Sequence, residues 1–319
     1  MYLFEGKQFH EDVCQEKGNF DYLMGCNLDV EHPEVQEELH RWGRWYLETT
    51  GVDGFRFDAV KHVKSGFFLE WLHRLRSQSG RQLFAVGEYW STIGDALSHF
   101  IEATNGQMML FDAALHYNFA AASRTGRDYD LRTIFDNSLV KDNPDLAVTL
   151  VSNHDTQPLQ SLESVVEAWF KPLAYALILL RRGGYPCVFA ADYEGAQYKG
   201  VGRDGEEHEV TMPSHRWMID LFLKVRRTLA FGEQHDYFDD PHCIGWTRMG
   251  TPEHHGGMAV LLSNNADVDK RMQVPVQNAE YVDLTGHVDQ PVVTDDQGWG
   301  EFHCKAGSVS VWVPKNTMA

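Results

Sequence analysis

Between residues 33 and 232, short apolar runs alternate with stretches whose apolar residues recur every three or four positions. A run of that length fits a buried strand and the recurring pattern fits a helix, so the alternation restricts the fold to parallel strands joined by helical crossovers. The strand-like runs are VDGFRFD at 52–58, LFAVGE at 83–88, MMLFD at 108–112, AVTLVS at 147–152 and YPCVFA at 185–190. Pro33 suits the first position of a helix whose apolar face is Val35, Leu39, Trp42 and Tyr46 and which stops near Thr50 and Gly51. Phe68, Trp71, Leu72 and Leu75 form the next stripe, ended by Gly80. Trp217, Leu221, Phe222, Val225 and Leu229 form the last, closing near Phe231 and Gly232. The glycine-rich GVGRDG at 200–205 reads as a long loop rather than a phosphate cradle, because no strand is expected to end just before it.

Beyond residue 232 the texture changes to short strands and turns: 243–247, 258–262, 272–274, 281–284, and a final hairpin. In that hairpin 302–304 and 308–313 flank a turn at Ala306 and Gly307, with Val309, Val311 and Val313 on one face. A small antiparallel β-sandwich domain is expected there. With 319 residues and 43% apolar content, the chain has room for one large domain and this smaller one. The net charge of −18 opposes non-specific association with nucleic acid or anionic lipid. It suits a carbohydrate partner, and equally suits mere solubility. The five cysteines are scattered without a CxxC spacing, so reduced structural thiols are expected. No basic segment followed by an apolar one opens the sequence, and a cytoplasmic location is the expectation.

Asp58, Glu88 and Asp155 each fall at or just past the C-terminal end of an expected strand, the edge where βα-barrels build their sites. Any one of them alone would read as a helix cap. Their neighbours argue for more. Arg56 projects to the same side as Asp58, where a fixed guanidinium would keep a nucleophile ionised. Glu88 lies between Gly87 and the aromatic pair Tyr89 and Trp90, surroundings that would keep a general acid protonated. One ionised and one protonated carboxyl group is what glycosidic cleavage with retention requires. His154 and Asp155 offer a donor and an acceptor for sugar hydroxyls.

GFRFDAVKH at 54–62, VGEYW at 86–90 and VSNHDTQ at 151–157 resemble three short conserved regions of the α-amylase family of glycoside hydrolases. NFDYLM at 19–24, EAWFKPLAY at 167–175 and GSVSVW at 307–312 extend the likeness, which is greatest to bacterial liquefying-type and cytoplasmic members. The resemblance implies Asp58 as nucleophile, Glu88 as acid/base and Asp155 as transition-state stabiliser, with Arg56, Lys61, His62 and His154 around the substrate. Trp90 would be a sugar-stacking platform or, equally, a core aromatic. The family's calcium site would draw on Asp21, Asn27, Asp29 and the backbone carbonyl of His62, although Asn27 stands where relatives usually carry aspartate. Asp21 and Asp29 read equally well as plain loop acids.

The resemblance also implies a fold: a partial (β/α) TIM-type barrel of about five of the eight βα units, followed by the β-sandwich. The domains expected are 1–31 as a remnant of the family's domain B, 32–232 as the truncated barrel, and 233–319 as the β domain. The family's first conserved region, an Asp-x-x-x-Asn-His pattern, is not found. An open barrel would expose sheet edges and an apolar interior, to be covered by neighbouring protomers, by an N-terminal segment in trans or by repacking of the interior; of these, a homo-oligomer is the expectation. The leading functional expectation is an α-1,4-glucan endohydrolase acting on starch, glycogen or maltodextrins. A non-catalytic or vestigial glucan-binding protein and a transglycosylase stand as alternatives.

Overall fold

The computed structural model describes residues 28–315 and residue 317. The expected alternation is present. In chain order the elements begin α1 (Pro33–Thr50), β1 (Gly54–Phe57), α2 (Ser65–Ser79), β2 (Phe84–Gly87), α3 (Gly94–Ala103), β3 (Met109–Phe111) and α4 (Ala113–Thr125). They continue through α5 (Leu139–Asp142), β4 (Ala147–Leu150), α6 (Lys171–Leu180), β5 (Tyr185–Cys187), α7 (Ala190–Glu194), β6 (Ala196–Val201), β7 (Glu207–Met212) and α8 (Arg216–Thr228). Strands β1 to β5 form a five-stranded sheet in sequence order, with parallel ladders from β1 through β4. This is a partial barrel-type sheet. By contact the described residues divide into two compact units: one holds those up to Ala113 together with Leu146–Val148, the other holds Ala114–Asp145 and those from Thr149 onward.

In the first unit, helix α1 begins as expected. His32 caps it by accepting from the Glu34 amide at 3.3 Å, and Gly51 closes it in the left-handed region at φ 68°. The buried face differs from the expected one. His40, Gly43 and Leu47 are buried, whereas Trp42 is exposed. The cause is the contact with α2. The Trp71 indole donates to the Leu39 carbonyl at 3.0 Å, and a Cβ on residue 43 would lie 2.5 Å from the Trp71 ring. Close approach at glycine therefore turns the helix by about one residue and leaves Trp42 at the rim, its ring 6.5 Å from that of Trp71. The α2 stripe is as expected, with Phe68, Trp71, Leu72 and Leu75 all buried and Gly80 as the left-handed cap. Burying each of these large side chains is worth about 1.5–3 kcal/mol relative to exposure.

The second unit contains α6, nearly all of whose residues are buried, and the antiparallel strands that follow α8. These are β8 (Gln234–Asp240), β9 (Cys243–Arg248), β10 (Met258–Ser263), β11 (Val268–Gln273), β12 (Glu280–Asp283), β13 (Val292–Val293), β14 (Trp299–Cys304) and β15 (Ser308–Pro314). Six of them make one sheet in the order β13-β12-β15-β10-β9-β8, and β11 with β14 makes a second. Met272 and Phe302 of the smaller sheet pack into one core with Leu261, Tyr281 and Trp312 of the larger, so the sandwich expectation holds.

Three expectations are corrected here. β14 and β15 are not a hairpin ladder: the turn at Ala306 and Gly307 carries the chain from one sheet to the other, β14 pairing with β11 and β15 with β10 and β12. β15 is buried on both faces, because α6 packs on the side away from the smaller sheet. The 200–205 stretch is no long loop but the tip of a hairpin between β6 and β7, closed by the Gly202 amide donating to the Glu206 carbonyl at 2.8 Å. On α8 the buried residues are Met218, Ile219, Phe222 and Val225, and Trp217 is exposed. Gly43→Val should overpack the α1/α2 contact and lower stability by about 1–3 kcal/mol. Urea unfolding followed by tryptophan fluorescence reads the shift, and an unchanged midpoint would contradict the contact.

Candidate active site

Alternation along β1 decides where its charged groups go. Phe55 and Phe57 turn to one side, where their rings meet Trp71 edge-on at 5.0 and 5.5 Å. Anchoring those two rings commits Arg56, and Asp58 beyond it, to the opposite side. Ala59 then takes a left-handed conformation at φ 47° and feeds a short 3-10 turn, Val60–His62, whose first residue is fully buried. Nothing in the sequence signalled that turn, since alanine is not a residue that favours it.

The same turn ties β1 to β2. The Glu88 amide donates to the Phe57 carbonyl at 2.8 Å, and the Val60 amide donates to the Glu88 carbonyl at 3.0 Å. Gly87 is needed for this approach, because a Cβ there would lie 2.5 Å from Met108 Sδ and 3.1 Å from Val60 Cγ1. Glu88 is thus delivered beside Asp58 by the backbone. One guanidinium serves both carboxyl groups: Arg56 Nη1 donates to Asp58 Oδ1 at 2.6 Å and Nη2 to Glu88 Oε2 at 3.0 Å. Ala59 adds a long backbone donation to Glu88 Oε2 at 3.5 Å.

The two acids differ sharply in environment. The Glu88 side chain is 8% exposed and that of Asp58 is 73% exposed. Burial pushes the Glu88 carboxyl above its ordinary value, and hydrogen bonding with Asp58 and the charge of Asp58 push the same way. The Arg56 charge and the Ala59 amide oppose the rise without cancelling it. That direction agrees with what Gly87, Tyr89 and Trp90 predicted.

The remaining sequence-predicted residues divide between the units. Lys61 Nζ donates to the Trp90 backbone carbonyl at 3.0 Å, and His62 is exposed. Trp90 is 8% exposed, so most of its surface is packed against its neighbours. Arg56 is engaged with the two carboxyl groups. His154 and Asp155 belong to the second unit, where Asn153 Oδ1 accepts from the Asp155 amide at 2.9 Å and His154 Nε2 lies 3.4 Å from Asp155 Oδ2. Asp112, fully buried at the end of β3, was not singled out from the sequence although MMLFD has the same strand-then-acid form as the chosen segments.

For calcium, Asp21 and Asn27 lie outside the described residues. Asp29 is described, and one of its carboxylate oxygens accepts from the Glu31 amide at 3.1 Å, as a loop acid's would. Among the described residues no group of three or more His, Cys, Asp or Glu side chains is placed to hold a metal ion. Calcium needs six to eight oxygen ligands, so the described residues do not fit such a site.

A parallel sheet that presents Arg56, Asp58 and Glu88 at neighbouring strand ends, in a chain with a β-sandwich, defines the class as a partial βα barrel with an appended β domain. The chain belongs to the α-amylase family. Residues 19–215 match the family described as alpha amylase, catalytic domain, and residues 258–313 match the alpha-amylase C-terminal family. It is 50% identical, over 99% of its length, to an alpha-amylase of Geobacillus stearothermophilus. It is 47% identical, over 97% of its length, to the cytoplasmic alpha-amylase of Escherichia coli K12. The chain spans 57% and 63% of the length of those two relatives. Among solved structures it resembles an Anoxybacillus alpha-amylase with a TM-score of 0.67 at 18% identity, covering 90% of this chain and 64% of that one.

The raised pKa of Glu88 has a consequence for stability. Because the folded state holds this proton more tightly than the unfolded chain, the protein loses stability as pH rises from the ordinary glutamate value of 4.5 through the elevated folded value. Glu88→Gln removes that dependence. Urea midpoints measured across this range should show the unsubstituted protein falling relative to the variant as pH rises. A constant difference would mean that Glu88 titrates normally.

Proposed function

We propose that the chain acts as a retaining α-1,4-glucan endohydrolase on starch, glycogen or maltodextrins. The observation that carries this reading is the pairing of an exposed Asp58 with a buried, proton-holding Glu88 on one guanidinium. In the first step Glu88 donates its proton to the glycosidic oxygen while an Asp58 carboxylate oxygen attacks the anomeric carbon, giving a glycosyl ester and a free reducing-chain fragment. In the second, the Glu88 carboxylate takes a proton from water, which attacks the same carbon and releases Asp58. The two carboxyl groups share one guanidinium, at 2.6 and 3.0 Å from its terminal nitrogens, and so close a pairing supports retention, which needs the shorter carboxyl separation.

Asp155, with His154, is assigned to the sugar hydroxyls, where its hold would tighten as the ring flattens toward an oxocarbenium ion. Arg56 is assigned to positioning the two acids, and Lys61 and His62 to the substrate. The names of the Geobacillus and Escherichia relatives support the substrate class, and the Escherichia relative supports a cytoplasmic location. No helix among the described residues is long and apolar enough to cross a membrane. Calcium, which the resemblance would place at Asp21, Asn27, Asp29 and the His62 carbonyl, takes part in no step of this reading, and the described residues supply no cluster for it.

A reducing-sugar assay on soluble starch tests the assignment. Asp58→Asn and Glu88→Gln should each lower turnover by about 10²–10⁴-fold or more, with maltooligosaccharide binding retained. Activity surviving either substitution overturns it, and binding without turnover in the unsubstituted chain points to the non-catalytic alternative. Product analysis separates hydrolysis from glycosyl transfer to a sugar acceptor.

Association with further copies of this chain is the second part of the reading. It is supported by the exposed Trp42, Trp45 and Phe84 of the first unit, which are costly to leave in water. Light scattering should give a mass above that of one chain, and a monomer at all concentrations rules association out.

A further inference from the structure

The second unit holds a pocket of about 410 Å³ whose charged lining is arginine alone: Arg181, Arg182, Arg226, Arg227 and Arg248, with Phe231 on its apolar side. This sits in a chain of net charge −18, so it is a local reversal of the overall field. The partners of these arginines account for only part of their charge. Arg181 is neutralised by Asp236, which accepts from both its terminal nitrogens at 2.8 Å. Arg226 donates to the Leu179 carbonyl at the end of α6 at 2.6 Å, and Arg248 Nη2 donates to the Gly232 carbonyl at 3.1 Å. The side chains of Arg182 and Arg227 have no hydrogen bond or ion pair among the described residues.

Arg248 is the telling member. It is 5% exposed, and its Nε is buried without a hydrogen-bond partner. A buried charged donor with nothing to accept from it is costly, and three neighbouring guanidiniums, those of Arg182, Arg226 and Arg181, add repulsion. Burial, then the charges of Arg182, Arg226 and Arg181, push the Arg248 pKa down to about 10. A bound anion would offset the clustered positive charge.

We propose that this pocket binds a small phosphorylated molecule with at least two negative charges, whose phosphoryl oxygens accept from Arg182, Arg227 and the terminal nitrogens of Arg248. Guanidinium forks match phosphoryl oxygens two at a time, which favours phosphate over a singly charged carboxylate. The volume lies within the roughly 300–1,000 Å³ of small-molecule sites and leaves room for an attached group beside Leu223 and Phe231. Phe231 is held in place there by stacking on His254, with centroids 3.7 Å apart. The overall acidity of the chain opposes a nucleic-acid polymer, whose many phosphates would meet it outside the pocket. The proposal does not depend on the roles given to Asp58 and Glu88.

Isothermal titration of the full chain at fixed ionic strength, with inorganic phosphate, pyrophosphate and glucose 6-phosphate as probes, tests it. Pyrophosphate or glucose 6-phosphate should bind saturably and more tightly than inorganic phosphate. Preference between those two tells a diphosphate from a sugar phosphate, and either result supports the site. The double variant Arg182→Gln/Arg227→Gln, at exposed positions that leave the fold intact, should weaken that binding at least tenfold. The thermal midpoint of the ligand-free variant checks the fold. No saturable binding, binding no tighter than that of inorganic phosphate, or binding unchanged in the double variant overturns the proposal. So does an oligonucleotide that binds through the same arginines more tightly than the small phosphates.

Discussion

The candidate site depends on one guanidinium. Arg56 reaches Asp58 with one terminal nitrogen and Glu88 with the other, and in doing so lets two acids of opposite character stand side by side. Its charge opposes the rise in the Glu88 pKa that burial and Asp58 produce, without cancelling it. With it, burial can still raise Glu88 while Asp58 remains open to solvent. The geometry is fixed from below by apolar packing. Phe55 and Phe57 against Trp71 orient β1, and the backbone bonds of Phe57 and Val60 to Glu88 fix β2 beside it. The electrostatic arrangement is therefore a product of strand alternation and of two close approaches, at Gly87 and at the left-handed Ala59.

Much of this was legible in the residues. Strand-ending acids, the same-side placement of Arg56 and Asp58, and the desolvated setting of Glu88 all follow from a two-residue period and from apolar neighbours. What was not legible has a common physical cause. Helix faces were assigned by counting large apolar side chains, yet α1 buries Gly43 and His40 and leaves Trp42 at the rim because the closest approach between helices occurs at the smallest residue. The β14 and β15 strands look like a hairpin because they are adjacent in sequence, but strand partners are chosen by which faces must be covered. The hairpin of β6 and β7 was missed because glycine-rich sequence hides a short strand. Trp90 could not be placed from sequence, since stacking platforms and core aromatics look alike until exposure is known.

The second unit adds a contrast. In the first, one arginine balances two acids. In the second, five arginines face one pocket with Asp236 as the acid that pairs Arg181. Compensation at the first site is internal, whereas at the second Arg182, Arg226, Arg227 and Arg248 have no carboxylate partner among the described residues, which leaves it to an outside anion. The same rule, that buried charge must find a counter-charge, explains the first site and motivates the proposal for the second.

The account stands on Glu88 being a protonated partner of Asp58 rather than an ordinary surface carboxylate. The most direct measurement is the titration of the Glu88 side-chain carbon by NMR in glutamate-labelled protein, with Glu88→Gln to assign the signal and Asp58→Asn as comparison. The account predicts a midpoint above the usual glutamate range that falls when Asp58 loses its charge. A midpoint in the usual range, or one that Asp58→Asn leaves unmoved, would contradict it.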